Sequence, residues 1–255
     1  MIFDTHAHYD DEQFDADREE LLGSLKEGSV DAVVNVGASL ASSRAAVALA
    51  GRYPFMYAAA GVHPDHAAEL DEESFSQLRE LCRQEKVVAV GEIGLDYYWD
   101  ESPRDVQKKW FIRQMELARE LSLPVNIHSR DAAEDTLEIV REHGRDLPGV
   151  IHCFSYSKEI ACAYVKMGYY IGVGGVVTFK NGRRLKETVA EIPLTSIVLE
   201  TDCPYLAPEP NRGKRNSSLN LVYVAREIAR IKDVPYDEVV ACTARNARTL
   251  YRLDR

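Results

Sequence analysis

Two imidazoles stand one residue apart near the start of the chain, His6 and His8 in the run MIFDTHAHYD. A β-strand sends alternate side chains to the same face, so on a strand both rings would aim at one point. Two imidazoles on one side can chelate a metal ion; the alternative is chance pairing in a short stretch. Other metal-ligating types recur, each behind a short apolar run: Glu92 in VVAVGEIGLDYY, His128 in PVNIHSR, His152 in GVIHCFS and Asp202 in IVLETDCP. Taken singly, His128 or His152 reads as a packed core histidine, Glu92 as a helix-entry carboxylate and Asp202 as a cap. Four of the seven histidines and two acids sharing that position argue instead for one metal site. The donor set suits divalent zinc, manganese, cobalt or nickel. Magnesium fits a carboxylate-rich subsite, though imidazole serves it poorly. Glu92 is suited to bridge two ions, and two ions can lower the pKa of a water and clamp a phosphoryl oxygen.

The elements that would position these residues follow a rhythm. Short apolar or β-branched runs recur at 2–5, 32–36, 56–60, 87–90, 125–127, 150–151, 170–173 and 197–199. Helical spacing lies between them: Phe111, Met115, Leu117 and Ala118 share one face, and Ala133, Leu137, Ile139 and Val140 another. Ser102-Pro103 reads as a cap followed by proline in the first helical turn. A final helix is expected over 236–251. Strand alternating with helix implies a parallel sheet. Eight such units in 255 residues predict a single-domain α/β fold, a (β/α)8 TIM-type barrel over 1–255. Catalytic groups in such barrels gather at the C-terminal face of the strands, where all six residues fall. The competing open doubly wound sheet would carry a glycine-rich turn after its first strand, where this chain has His-Ala-His.

Composition narrows the class. The apolar and charged fractions, 45% and 28%, are those of a globular protein. No apolar stretch approaches a membrane span, and no basic segment followed by an apolar one opens the chain. Five scattered cysteines make no disulfide framework, so a reducing, cytoplasmic setting is expected. A net charge of −10 argues against broad coating of nucleic acid, yet leaves room for a locally cationic site. Basic clusters stand at KNGRR (180–184) and RGKR (212–215), each readable as a solvated loop on charge alone. There is no GxxxxGK[ST] loop and no Ser-His-Asp arrangement in view.

At these residues the chain resembles the TatD family of metal-dependent hydrolases, within the amidohydrolase superfamily. The resemblance runs from end to end: FDTHAH at 3–8, GVHP at 61–64, GEIGLDYY at 91–98, PVNIHSRDA at 124–132, HCFS at 152–155, VTFKN at 177–181, LETDCPYLAP at 199–208 and RGKRN at 212–216. It implies metal ligands at His6, His8, Glu92, His128, His152 and Asp202, with His6, His8 and Asp202 on one ion and Glu92 bridging to a second held by His128 and His152. It also implies a deoxyribonuclease, a 3′→5′ exonuclease on single-stranded DNA. Two departures stand out: Tyr156 where relatives often have glycine, and Ser217-Ser218 where they commonly have Glu-Pro. Both are expected in loops at the mouth, where they would bear on substrate preference.

On that basis Asp202 is the expected general base and His63 a donor to phosphate or leaving group. Arg130 would fork a phosphate, its alternative being a salt bridge to Asp131 or Glu134. Tyr97, Tyr98 and Trp99 would stack bases, or simply pack. Arg212, Lys214 and Arg215 would supply local positive charge, and His66 reads as a surface residue. Cys153 and Cys203 adjoin ligands on strands and are expected to point away and pack. The substrate expected is single-stranded DNA, with no membrane and no obligate protein partner. Two other functions compete. One is hydrolysis of a small ester, amide or phosphodiester; many such barrels bridge their metals with a carboxylated lysine on strand four, where this chain has Glu92 and places Lys86 at the strand's opposite end. The other is a non-catalytic metal-binding scaffold, which would need no open coordination site.

Overall fold

Eight parallel strands, paired neighbour to neighbour in chain order, form the centre of the molecule in a computed structural model that describes residues 1–253. The order is β1 (Ile2–Ala7), α1 (Arg18–Ser24), β2 (Val30–Val36), α2 (Leu40–Arg52), β3 (Met56–Ala60), α3 (Glu72–Cys82), β4 (Val87–Asp96), α4 (Arg104–Leu121) and β5 (Val125–Arg130). It continues through α5 (Ala133–His143), β6 (Gly149–Ile151), α6 (Lys158–Lys166), β7 (Tyr170–Val173), α7 (Arg183–Glu191), β8 (Ile197–Leu199), α8 (Leu221–Lys232) and α9 (Tyr236–Tyr251). This is the expected (β/α)8 TIM-type barrel. Every expected strand is present, and β1, β4 and β5 run past their apolar cores to carry His6, Glu92 and His128 within the ladder. The apolar signal stops earlier because side chains there turn into the mouth rather than into packed interior.

Strand alternation divides the apolar residues into two layers. Phe3, Val34, Val36, Ala59, Val88, Val150 and Val198 cluster with Leu250 and Tyr251 of α9. Ile2, Val33, Ala58, Val90, Ile127, Ile171 and Leu199 pack with the surrounding helices, including Phe111, Met115 and Ala118 of α4. Asn246 of α9 donates to the carbonyls of Leu194 and Ile197, fixing that helix beside the start of β8.

β1 meets the segment after β8 through an isolated bridge, Ala7 to Cys203, with backbone bonds from His8 N to Cys203 O and from Asp202 N to His6 O, and side chains complete the closure. Asp4 is wholly buried and accepts from Thr201 N at 3.1 Å, Thr201 Oγ1 at 2.7 Å and Ser218 Oγ at 2.6 Å. Thr5 Oγ1 donates to Leu199 O, and Tyr251 OH to Thr5 O. Ser218 therefore belongs to this buried seam, where Tyr9 OH also meets its hydroxyl, rather than to the substrate mouth as expected.

The Ser102-Pro103 cap takes a different form. Pro103 itself precedes α4, and the Ser102 hydroxyl donates to Asp65 O and accepts from Ala68 N. Having a partner across the loop, it does not turn back onto its own helix. No described helix is long and apolar enough to cross a membrane.

Candidate metal centre

All six expected ligands converge at the C-terminal ends of the strands. His6 is wholly buried, and its Nδ1 lies 3.2 Å from Asn126 Oδ1 on β5. His8 Nδ1 lies 2.8 Å from the Val36 carbonyl. A carbonyl only accepts, so His8 Nδ1 carries the proton and Nε2 is left as the ligating nitrogen. His6 Nε2 and His8 Nε2 then lie 3.1 Å apart, with Asp202 Oδ1 at 3.3 Å from the second.

The other half is built from β5 and β6. His128 Nε2 faces Asp96 Oδ2 at 3.1 Å, which turns its Nδ1 toward Glu92 Oε1 at 2.9 Å. His152 Nε2 lies 2.8 Å from the same oxygen. A cis peptide joins Gly91 to Glu92. Two strands can approach this closely because Gly94, at φ +144°, has no side chain; a Cβ there would stand 1.9 Å from His128 O.

Charge follows from this crowding. Burial pulls the His8 imidazolium down, but the hydrogen bond to Asp202 and the charges of Asp202, Glu92 and Asp10 hold its pKa up, at about 9. His128 is likewise pulled down by burial and held up at about 9 by Asp96 and Glu92. His152 is pushed down to about 4 by burial and by His6. Burial raises Glu92 and Asp202, yet the surrounding imidazoles outweigh it and hold both carboxyls below the usual range. Four ring nitrogens and two carboxylates packed together, with protons on His8 and His128 standing where cations would stand, fit a divalent metal site. The side chains that could hold an ion together include His6, His8 and Glu92; His6, His152 and Asp202; and His63, Glu92 and His128.

A cavity of about 650 Å³ lies over these groups. His63 enters it beyond β3. Its Nδ1 accepts from Asp65 N at 3.2 Å, leaving the proton on Nε2, which faces Glu92 Oε1 at 3.7 Å. Arg130 is exposed at the rim and lies 3.9 Å over the Tyr98 ring, without an ion pair to Asp131 or Glu134. Tyr98 and Trp99 are 55% and 58% exposed, with one face of the Tyr98 ring taken by Arg130. Arg212 lies 4.3 Å over Phe179, and Lys214 is exposed on the same loop. His66 is half-exposed and meets Glu69.

Some expectations need correction. Tyr97 packs with its hydroxyl donating to Asp135 Oδ2, so it is no free platform. Arg215 is spent on Asp17, with bonds of 2.8 and 2.5 Å. Tyr156 turns inward to Ser129 Oγ and Ala132 N instead of lining the cavity. Cys203 packs as expected, whereas Cys153 lines the cavity. The residues that sequence reasoning missed are those behind the ligands: Asp96, Asn126, the Val36 carbonyl and Glu200, which accepts from Cys153 N and lies 3.9 Å from His152 Nδ1. The period-two spacing of Glu92 with Asp96, and of Asn126 with His128, was the available signal.

Comparison with known proteins agrees with this geometry. The family model described as TatD related DNase matches residues 3–252. A protein of Bacillus subtilis named uncharacterized metal-dependent hydrolase YabD is 45% identical over 255 residues, covering 100% of both chains. One of Erwinia tasmaniensis named 3′-5′ ssDNA/RNA exonuclease TatD is 33% identical, covering 99% of this chain and 100% of its own. The crystal structure of YjjV, a TatD homolog from Escherichia coli, superposes with a TM-score of 0.92 at 32% identity, covering 98% of each chain. Matched along nearly its whole length in sequence and in fold, the chain belongs to the TatD family of metal-dependent hydrolases.

Proposed function

We propose that this site holds two divalent ions and hydrolyses phosphodiester bonds, removing nucleotides from the 3′ end of single-stranded DNA. The observation that carries the reading is the division of the Glu92 carboxylate. Its Oε1 lies 2.8 Å from His152 Nε2 and 2.9 Å from His128 Nδ1, while Oε2 lies 3.5 Å from His6 Nε2 and 3.8 Å from His8 Nε2. Each oxygen has its own pair of imidazoles, the arrangement a bridging carboxylate requires. His6, His8 and Asp202 would hold one ion and His128 and His152 the other, with zinc, manganese, magnesium, cobalt or nickel as the candidate ions. When bound, such ions supply Lewis acidity toward a phosphoryl oxygen and lower the pKa of a water.

The chain's own groups do the rest. Asp202 turns Oδ1 to His8, at 3.3 Å, and keeps Oδ2 to accept the proton of the attacking water. His63 offers its Nε2 proton to a phosphoryl oxygen or to the departing one. Trp99 and Tyr98 offer faces to unpaired bases, and Arg130 and Lys214 offer charge to phosphates. The name of the Erwinia relative supports the single-stranded substrate and the polarity. The test is a 5′-labelled single-stranded oligomer incubated in EDTA and then with manganese, magnesium or zinc. A metal-restored ladder that shortens from the 3′ end is the expected result. No cleavage with any ion would sink the nuclease reading and turn the search to small esters, amides and phosphodiesters.

A further inference from the structure

Charge around the mouth is uneven. A second groove, of about 590 Å³, shares Ser155 and Val176 with the cavity over the metal cluster, so the two adjoin. Lys158 at the start of α6 and Arg183 and Arg184 at the start of α7 line it, against the carboxylates of Glu159 and Glu187. Glu187 is engaged by Arg183 at 2.7 Å, and Lys158 by Glu191 at 3.3 Å. Arg184 is exposed and has no ion pair among the described residues, as is Lys180 four residues before it. The second basic cluster of the sequence joins this one in space: the Arg212 guanidinium lies 4.3 Å over Phe179, the neighbour of Lys180. The flank beside β1 is acidic and the flank beside α5 is mixed, its carboxylates standing next to the exposed Arg130 with Asp135 paired to Lys108 at 2.6 Å. Asp131, Glu134 and Asp135 line a groove beside α5, and Asp10 and Asp11 line the cavity beside β1.

A polyanion leaving the metal cluster therefore meets carboxylates toward β1, mixed charge toward α5 and cations toward α7. We propose that the groove at the start of α7 is a track for the sugar-phosphate backbone of a single strand, holding the phosphates next along from the one being cut. The proposal rests on the nuclease reading and assigns the KNGRR cluster a role that reading does not use. Cations on a track act through charge, so their removal raises KM and weakens its salt dependence while the bond-breaking groups stay in place.

The test compares the metal-loaded protein with Lys180→Glu/Arg184→Glu, using an eight-residue oligothymidylate at several salt concentrations. Both positions are exposed, so the fold is kept. Lys26→Glu, an exposed cation ahead of β2, controls for a charge reversal of half that size at the opposite end of the strands. The double variant is expected to raise KM about tenfold and to reduce the slope of log KM against log salt by about 1–2. Lys26→Glu is expected to match the unsubstituted protein. An unchanged KM in the double variant, or an equal rise in Lys26→Glu, overturns the track while the nuclease reading stands. If the unsubstituted protein cuts no oligonucleotide, both fall together.

Discussion

Asp96 joins two parts of the site through one carboxylate: its Oδ2 lies 3.1 Å from His128 Nε2, and its Oδ1 accepts the backbone N–H groups of Tyr98 and Trp99. The ring orientation of His128 and the position of the aromatic loop are thus set by the same buried group. Gln107 of α4 fixes the group from behind, accepting from Asp96 N and donating to Asp96 O.

Asp96→Asn should therefore weaken metal binding by roughly 10–100-fold, the usual loss when a group orienting a ligand is removed. Calorimetric titration of the apoprotein with manganese measures this, and circular dichroism checks the fold. Unchanged affinity would mean that packing alone holds His128.

Asp202→Asn keeps an oxygen beside His8 but removes the proton acceptor. Its kcat should fall by about 10²–10⁴, with melting temperature close to that of the unsubstituted protein. A near-normal kcat would take the base role away from Asp202.

Chelation should abolish turnover and lower the melting temperature together, because the cluster unites strands from opposite sides of the barrel. Metal at about a hundredfold over its dissociation constant stabilises by about 2.7 kcal/mol. For a chain of this size that corresponds to roughly 5–10 °C. Activity restored with no thermal shift would place the working ion elsewhere.

Trp99→Ala removes an open ring at the rim. If bases stack there, KM for single-stranded DNA should rise in line with about 1–3 kcal/mol per lost stack. Equal KM values for the two proteins would return Trp99 to the role of a surface residue.

Asp135 accepts from Lys108 and from the Tyr97 hydroxyl, each at 2.6 Å, and these hold its carboxyl below the usual range. A depressed folded pKa adds stability above the unfolded pKa and loses it as pH falls through the folded one. Asp135→Asn should thus lower the melting temperature by about 1–4 °C at pH 7, from about 0.5–1 kcal/mol. The gap should close below about pH 4. A gap independent of pH would show that charge is not its source.

Much of the site was legible because barrel strands deliver polar side chains just past their apolar runs. His6, His8, Glu92, His128, His152 and Asp202 all stand there, and the structure brings them together. Asp96 and Asn126 were hidden for the same reason that they matter: they lie inside strands and touch ligands rather than standing apart as ligands. Pairings set by distant loops left no local mark. Arg215 with Asp17 is 198 residues apart, and Ser218 with Asp4 is 214 apart. No spacing rule connects such positions, so a cation and a hydroxyl expected at the mouth were in fact used to hold the barrel together.

The seam at Asp4 also sets an order of events in synthesis. Thr201 follows its partner Asp4 by 197 residues. At roughly 5–20 residues per second, the first strand leaves the ribosome about 10–40 s before the segment that closes on it. His6 and His8 wait through the same interval for Asp202. The metal cluster thus cannot assemble until the segment after β8 has been made, with α8 and α9 still to follow.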